Sequence, residues 1–130
     1  MASDFGTDIY TRLTGYAPLS TLVGTRVYPV QFKQTDNLPA IRYNRITTER
    51  YHAMGVDCGV VSRTYQFDVI GSTYASTDAA KIEMVNALTR WKDANVDLHS
   101  TFIQNESDDY ESDLKLYRIR VDVRFNIEEI

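Results

Sequence analysis

Between Leu114 and Ile127 the chain alternates with almost no interruption. Tyr117, Ile119, Val121, Val123, Phe125 and Ile127 fall on one side, and Arg118, Arg120, Asp122, Arg124 and Asn126 on the other. A period of two is the side-chain period of a β-strand, and no helix holds such a set on one face. The chain must therefore build a sheet with one apolar face to cover and one polar face left over. Extended, the stretch would reach roughly 45 Å at about 3.3 Å per residue, whereas ordinary strands have about five or six residues. Two outcomes fit. The strand bends around the core with bulges, or part of it projects and pairs beyond its own sheet, where in a ring it would serve as a subunit contact.

The elements around it follow from the same patterning. Residues 4–16 place Phe5, Ile9, Leu13 and Tyr16 at helical spacing, behind Ser3 or Asp4 as a cap. Pro18 opens a second helical piece carrying Leu19, Leu22 and Val23, and Gly24 suits its C-terminal cap. Residues 26–33 read as a strand, and Pro29, which cannot donate to a ladder, puts it at an edge or a bulge. Residues 40–48 form a second strand. The stretch from Thr48 to Gly59 is polar and reads as a long hairpin connection, and residues 60–71 alternate again. Ser76 or Thr77 caps a helix that runs to about Asp93, with Ala80, Met84, Leu88 and Trp91 as its apolar stripe. A strand over about 97–104 precedes a break at 105–113. The expected architecture is a single α+β domain over residues 1–130. It has a mixed, mostly antiparallel sheet of about five strands, with the N-terminal helices and one long central helix packed on one face.

Composition narrows the function. At 130 residues the chain can bury roughly two-thirds of its unfolded surface in one core. A formal net charge of -4 argues against a general nucleic-acid binder, which shows a basic face. It leaves room for a protein that lets DNA pass without holding it. The single cysteine, Cys58, excludes an internal disulfide and a cysteine-based zinc site. No apolar run approaches the roughly 20 residues that span a membrane, and the acidic start is unlike a signal peptide, so the expected compartment is a cytoplasm. Nine tyrosines favour either half-buried strand positions or surfaces that are covered on assembly.

Catalytic chemistry is hard to find. His52 and His99 lack the spacing of a metal pair, and Cys58 lies beside Asp57, which raises rather than lowers a thiol pKa. The glycines are too scattered to cradle a phosphate. Asn105-Glu106-Ser107 matches a glycosylation sequon that a cytoplasmic protein would not use. Expectation is therefore no enzyme, no cofactor and no metal. One cluster stands out: Glu106, Asp108, Asp109, Glu111 and Asp113 put five carboxylates within eight residues. On its own it reads as a solvated loop held open by self-repulsion. Divalent-ion binding is the alternative, without the glycine of an EF-hand loop.

The first third holds a string with a different use. Val23-Gly24-Thr25-Arg26-Val27-Tyr28-Pro29 is followed, after a polar stretch, by Leu38-Pro39-Ala40-Ile41-Arg42-Tyr43. Further along come Tyr65-Gln66-Phe67-Asp68-Val69, Tyr74-Ala75, and Tyr117-Arg118-Ile119-Arg120-Val121-Asp122 behind Asp108-Asp109-Tyr110. In order and spacing the sequence resembles the tail-completion, or tail terminator, proteins of long-tailed bacteriophages, which also occur in prophages and gene transfer agents. The resemblance runs over nearly the whole chain and departs in the 48–60 connection and the acidic segment. It implies a structural virion protein of the tail-neck region, assembled in the host cytoplasm. Related terminators form hexameric rings that cap the head-proximal end of the tail tube. The implied partners are further copies of the chain, the major tail tube protein and a head-completion or connector protein, with DNA passing through unbound and no membrane. Candidate ring or tube contacts are Arg50, Tyr51, His52, Met54, Arg118, Arg120 and Arg124. If Glu106, Asp108, Asp109, Glu111 and Asp113 faced the bore, their charge would repel DNA phosphates and keep the passage slippery. The alternative reading is a small α+β protein-binding module or adaptor without catalytic activity.

Overall fold

The computed structural model describes residues 5–29, 39–53, 56–91, 98–112 and 115–128. Helices α1 (Phe5–Gly15) and α2 (Ala17–Val23) lead into the short strand β1 (Val27–Pro29) and the long strands β2 (Ala40–Ala53) and β3 (Val56–Gly71). Helix α3 (Tyr74–Thr89) then precedes β4 (Leu98–Glu111) and β5 (Leu116–Glu128). The strands form one open sheet in the order β1-β2-β3-β5-β4. The β1–β2 pair is parallel and the other three are antiparallel, so the sheet is mixed, as expected.

The alternation in β5 is realised residue for residue. Ile119, Val121, Val123, Phe125 and Ile127 are all buried, with the intervening residues only partly so. They meet Ile41, Tyr43, Tyr65, Phe67 and Val69 from neighbouring strands and Ile9, Leu13, Leu19, Val23, Met84 and Leu88 from the helices. All three helices therefore lie on one face. Trp91 sets its ring edge-on to Phe125 at 6.2 Å, and Tyr65 does the same at 5.8 Å. Ala80, Met84, Leu88 and Trp91 are buried as the helical stripe requires, whereas Ile82 remains 46% exposed.

The expected projection of β5 beyond its own sheet is not observed. β5 is an interior strand, paired with β3 from Tyr117 to Glu128 and with β4 from Leu116 to Ile127. Its register against β3 is unbroken, and the two irregularities against β4 fall between Leu98 and Ser100 and between Ile103 and Asn105. The projecting element is the β2–β3 hairpin. Among the described residues, β5 pairs with β3 as far as Val60, and β1 pairs with Ile41 to Tyr43 of β2. Among the described residues, His52 and Ala53 thus pair only with Asp57 and Val56. The expected hairpin connection is strand over 48–53 and 56–60, with residues 54–55 outside the described ones, because paired backbone satisfies its own hydrogen-bonding groups.

Two further expectations are corrected. The cap of α3 is Thr73, whose side chain accepts from the Ser76 backbone N–H at 3.2 Å, and not Ser76 or Thr77. Thr77 is fully buried one turn in, its hydroxyl donating to the Thr73 carbonyl at 2.7 Å. The break over 105–113 is also absent up to Glu111, since β4 carries the acidic segment as strand.

The string that carries the family resemblance is structural. Gly24 sits at a positive φ of 58° and closes α2, its N–H donating to the Ser20 carbonyl at 2.8 Å. Arg26 then ties two elements together. Its Nε donates to the Pro39 carbonyl at 3.0 Å and its Nη2 to the Leu22 carbonyl at 3.1 Å. Val27, Tyr28 and Pro29 pair with Ile41, Arg42 and Tyr43, and Pro29 is exposed on the edge strand, as its missing N–H demands.

On the polar face the centre of the sheet is not open to water. Asp68 is fully buried between its register partners Arg42 and Arg120. Arg42 Nη2 donates to Asp68 Oδ2, and Arg120 Nε donates to Oδ1 at 3.3 Å. Removing the carboxylate takes a shared counter-charge away from two neighbouring cations. Breaking a buried ion pair costs about 3–5 kcal/mol, and the two arginines here keep enough exposure to rehydrate, which lowers the figure. Asp68→Ala is expected to lose about 2 kcal/mol in urea unfolding, with a smaller loss for Arg120→Ala. A loss for Asp68→Ala no larger than for Arg120→Ala would show that the clasp does not stabilise the sheet.

Candidate functional site

The candidate residues fall at opposite ends of the sheet. At one end β4 and β5 close their hairpin beside the start of α3. At the other the β2–β3 ribbon runs on past β5. Strand β3 alone spans 16 residues, roughly 50 Å at about 3.3 Å each.

At the α3 end, strand alternation sorts the acidic cluster onto two faces. Glu106 and Asp108 oppose Val121 and Ile119 and so face the helix layer; Asp109 opposes Arg118 and shares the outer face with it. Glu106 Oε1 lies 2.9 Å from Lys81 Nζ, which also reaches Asp78 Oδ1 at 3.8 Å. The Glu106 bond raises the Lys81 ammonium above its ordinary value. Asp108 accepts the Tyr74 hydroxyl at 2.9 Å, and that bond raises the phenol above its usual 10.0. On the outer face one guanidinium serves two carboxylates: Arg118 Nη2 donates to Asp109 Oδ2 at 2.7 Å and to Glu111 Oε1 at 3.1 Å. The self-repelling loop expected here is instead a strand whose described acids are each held by a cation or a hydroxyl. Asp113 lies outside the described residues.

Three tyrosines gather at the same place. Tyr110 and Tyr117 are cross-strand partners with ring centroids 4.8 Å apart, and Tyr74 meets Tyr117 edge-on at 6.0 Å. With Asp108 and Asp109 they line an open cleft of about 430 Å³. Sequence reasoning missed this grouping. Tyr110 and Tyr117 become neighbours only if the hairpin register is known, and Tyr74 arrives from a helix. The one signal available was the surplus of tyrosine itself.

The other expected contact residues are distributed differently. Arg120 is committed to Asp68, and the Arg124 guanidinium lies 5.3 Å from the centre of the Phe102 ring, which is 47% exposed on the same outer face. Arg118, Arg120 and Arg124 thus form one row along β5, each already engaged within its own sheet. Arg50 and His52 belong to the ribbon by register, opposite Val61 and Asp57. The side chains of Arg50, Tyr51 and His52 lie outside the described residues, as does Met54. Among the described residues no group of three or more His, Cys, Asp and Glu is placed to hold a metal, and no helix is long and apolar enough to cross a membrane.

The profile of the family described as Tail completion protein gp17 matches residues 7–128, every element from α1 to β5. The chain belongs to the tail completion protein gp17 family. Its members are structural proteins of the bacteriophage tail, which places the chain in the virion. Among solved structures it is similar to a chain of the "Virion of native gene transfer agent (GTA) particle", at 19% identity and a TM-score of 0.71, covering 92% of this chain and 91% of that one. At that identity the likeness is one of fold. No curated protein matches the chain.

The Arg118 clasp makes a pH-dependent claim about this family member. Its hydrogen bond, followed by the Tyr110 backbone N–H, holds the Asp109 carboxyl below its ordinary 3.8. A depressed folded value means that the contribution is present above the unfolded value and fades as pH falls through the folded one. The stability difference between wild type and Arg118→Gln should therefore be full at neutral pH and shrink as pH falls through the unfolded carboxylate value and below it, read by urea unfolding. A difference that does not change with pH through the acid range would show that Asp109 does not feel Arg118.

Proposed function

We propose that copies of this tail completion protein close into a ring of six on the head-proximal end of the tail tube, end its polymerisation and present the surface that joins the head connector. The observation that carries the reading is the open sheet with two differently built ends. No described strand lies beyond β4, and beyond Tyr43 none but β3 lies against β2. Unpaired edges invite pairing with another chain. When the edge on one side of a subunit meets a different edge on its neighbour, the contact is head-to-tail, and it closes into a ring if the rotation closes. The match to a chain of a gene transfer agent virion supports a place in a virion assembly of this kind.

In this reading the ribbon reaches out of the subunit toward the tube or connector, and the free edges serve ring closure. Termination is then a matter of shape. One ring face matches the last ring of the tube, and the other does not repeat it, so the next tube subunit finds no seat. The acidic end is less suited to lining a bore, because Glu106 is paired with Lys81, and Asp109 and Glu111 share Arg118. No residue is assigned a catalytic role.

The ribbon supplies a clean test, because residues 51–58 lie beyond the last pair with β5 at Val60. Purified tube protein from the same phage should form shorter tubes as increasing amounts of this chain are added, measured by electron microscopy. Replacing residues 51–58 by an Asn-Gly turn should leave the fold intact and abolish the shortening. Tubes of the same length with and without the intact chain would contradict the proposal.

A further inference from the structure

Strand β4 consists of two halves of different build. Its register against β5 shifts between Ile103 and Asn105, and that irregularity divides residues 98–103 from residues 105–111. The first half is anchored from within, since Leu98 and Ile103 pack against the core. The second half places no side chain in the core. Residues 105–110 are all exposed, and Glu111 is half-buried. Among the described residues no strand lies on its far side, so its backbone pairs with β5 alone.

Besides that pairing, surface side chains fasten this half. Toward the helix layer, Glu106 meets Lys81 at 2.9 Å, and Asp108 accepts the Tyr74 hydroxyl at 2.9 Å. On the outer face Asp109 and Glu111 share Arg118, at 2.7 Å and 3.1 Å. Tyr110 sets its ring 4.8 Å from that of Tyr117. Asp78 also draws on Lys81, and the charge of Arg120, itself bonded to Asp68, acts on Asp109. Attractions between exposed charges fall as salt shortens the Debye length, from about 30 Å at 0.01 M to about 3 Å at 1 M. Both ends of the segment offer a hinge. At one end the irregularity interrupts the ladder. At the other, in the turn to β5, Lys115 has a positive φ of 54°, a conformation uncommon for a residue with a side chain.

We propose that residues 105–111 form a strap that opens and recloses as one unit on an otherwise intact sheet, and that its contacts to Lys81 and Arg118 set how often it opens. Segments with few buried contacts open at free energies well below that of global unfolding. Closed, the strap keeps Leu116 to Asp122 of β5 in the interior of the sheet. Open, it turns that stretch into an unpaired edge. The strap is therefore a gate on strand pairing at β5, governed by ionic strength. It is independent of the ring reading, since it concerns one subunit alone.

Native-state hydrogen exchange of the intact ¹⁵N-labelled chain at neutral pH tests this, with the protected amides of residues 98–103 as a control in the same strand. Corrected for intrinsic rates, the protected amides of 105–111 should share one opening equilibrium and exchange at least about tenfold faster than the control. Raising salt from about 0.01 M to about 1 M should speed them by about threefold to tenfold and leave the control within about twofold. Lys81→Gln and Arg118→Gln should each speed exchange of 105–111 at low salt and shrink its response to salt. Equal exchange in both halves, amides of 105–111 that open independently of one another, an equal salt response in both halves, or variants that leave 105–111 unchanged would overturn the proposal.

Discussion

Strand β5 is the constraint on which the rest of the structure depends. It is paired on both edges for nearly its whole length, so its alternation fixes the faces of β3 and β4 through their registers. A slip of one residue would turn Ile119, Val121, Val123, Phe125 and Ile127 out of the core and put arginines under the helices. The buried Asp68 adds a second lock, since its two arginines come from the strands on either side of β3 and meet it only in the observed register. Helices α1, α2 and α3 then have a single apolar surface to cover.

That rigid centre leaves both ends of the sheet available for contacts. The ribbon extends from one end, where among the described residues its strands pair only with each other. The other end gathers acidic and aromatic side chains around the start of α3. A tail completion protein has to meet unlike neighbours, and a body whose two ends differ in shape and chemistry can do so without changing its own fold.

The period-two stretches made much of the fold legible in the sequence. The alternations over 60–71 and 117–127 are observed as read, because a half-covered sheet imposes its period directly on composition. Gly24 and Pro29 act as their backbone chemistry requires. The failures have a common cause. Residues 48–53, 56–60 and 105–111 are strand, and in them pairing to a neighbour outweighs the local preference of Gly, Asn and Asp for turns. Their partners are distant in sequence, such as Arg118 for Asp109, so no local window reveals them. The same distance hid the tyrosine cleft. The resemblance carried by Arg26, Pro39 and their neighbours identified the family through residues that build the scaffold, with Arg26 bridging α2 to the start of β2. Such residues name the fold and leave the contact surfaces to be found in the structure.

The central claim is that this chain ends the tail and joins it to the head. Deleting its gene from the phage that carries it, and imaging the lysate by electron microscopy, tests that claim most directly. The account predicts filled heads without tails, and free tails of uncontrolled length. Infectious virions with tails of normal, uniform length would contradict it.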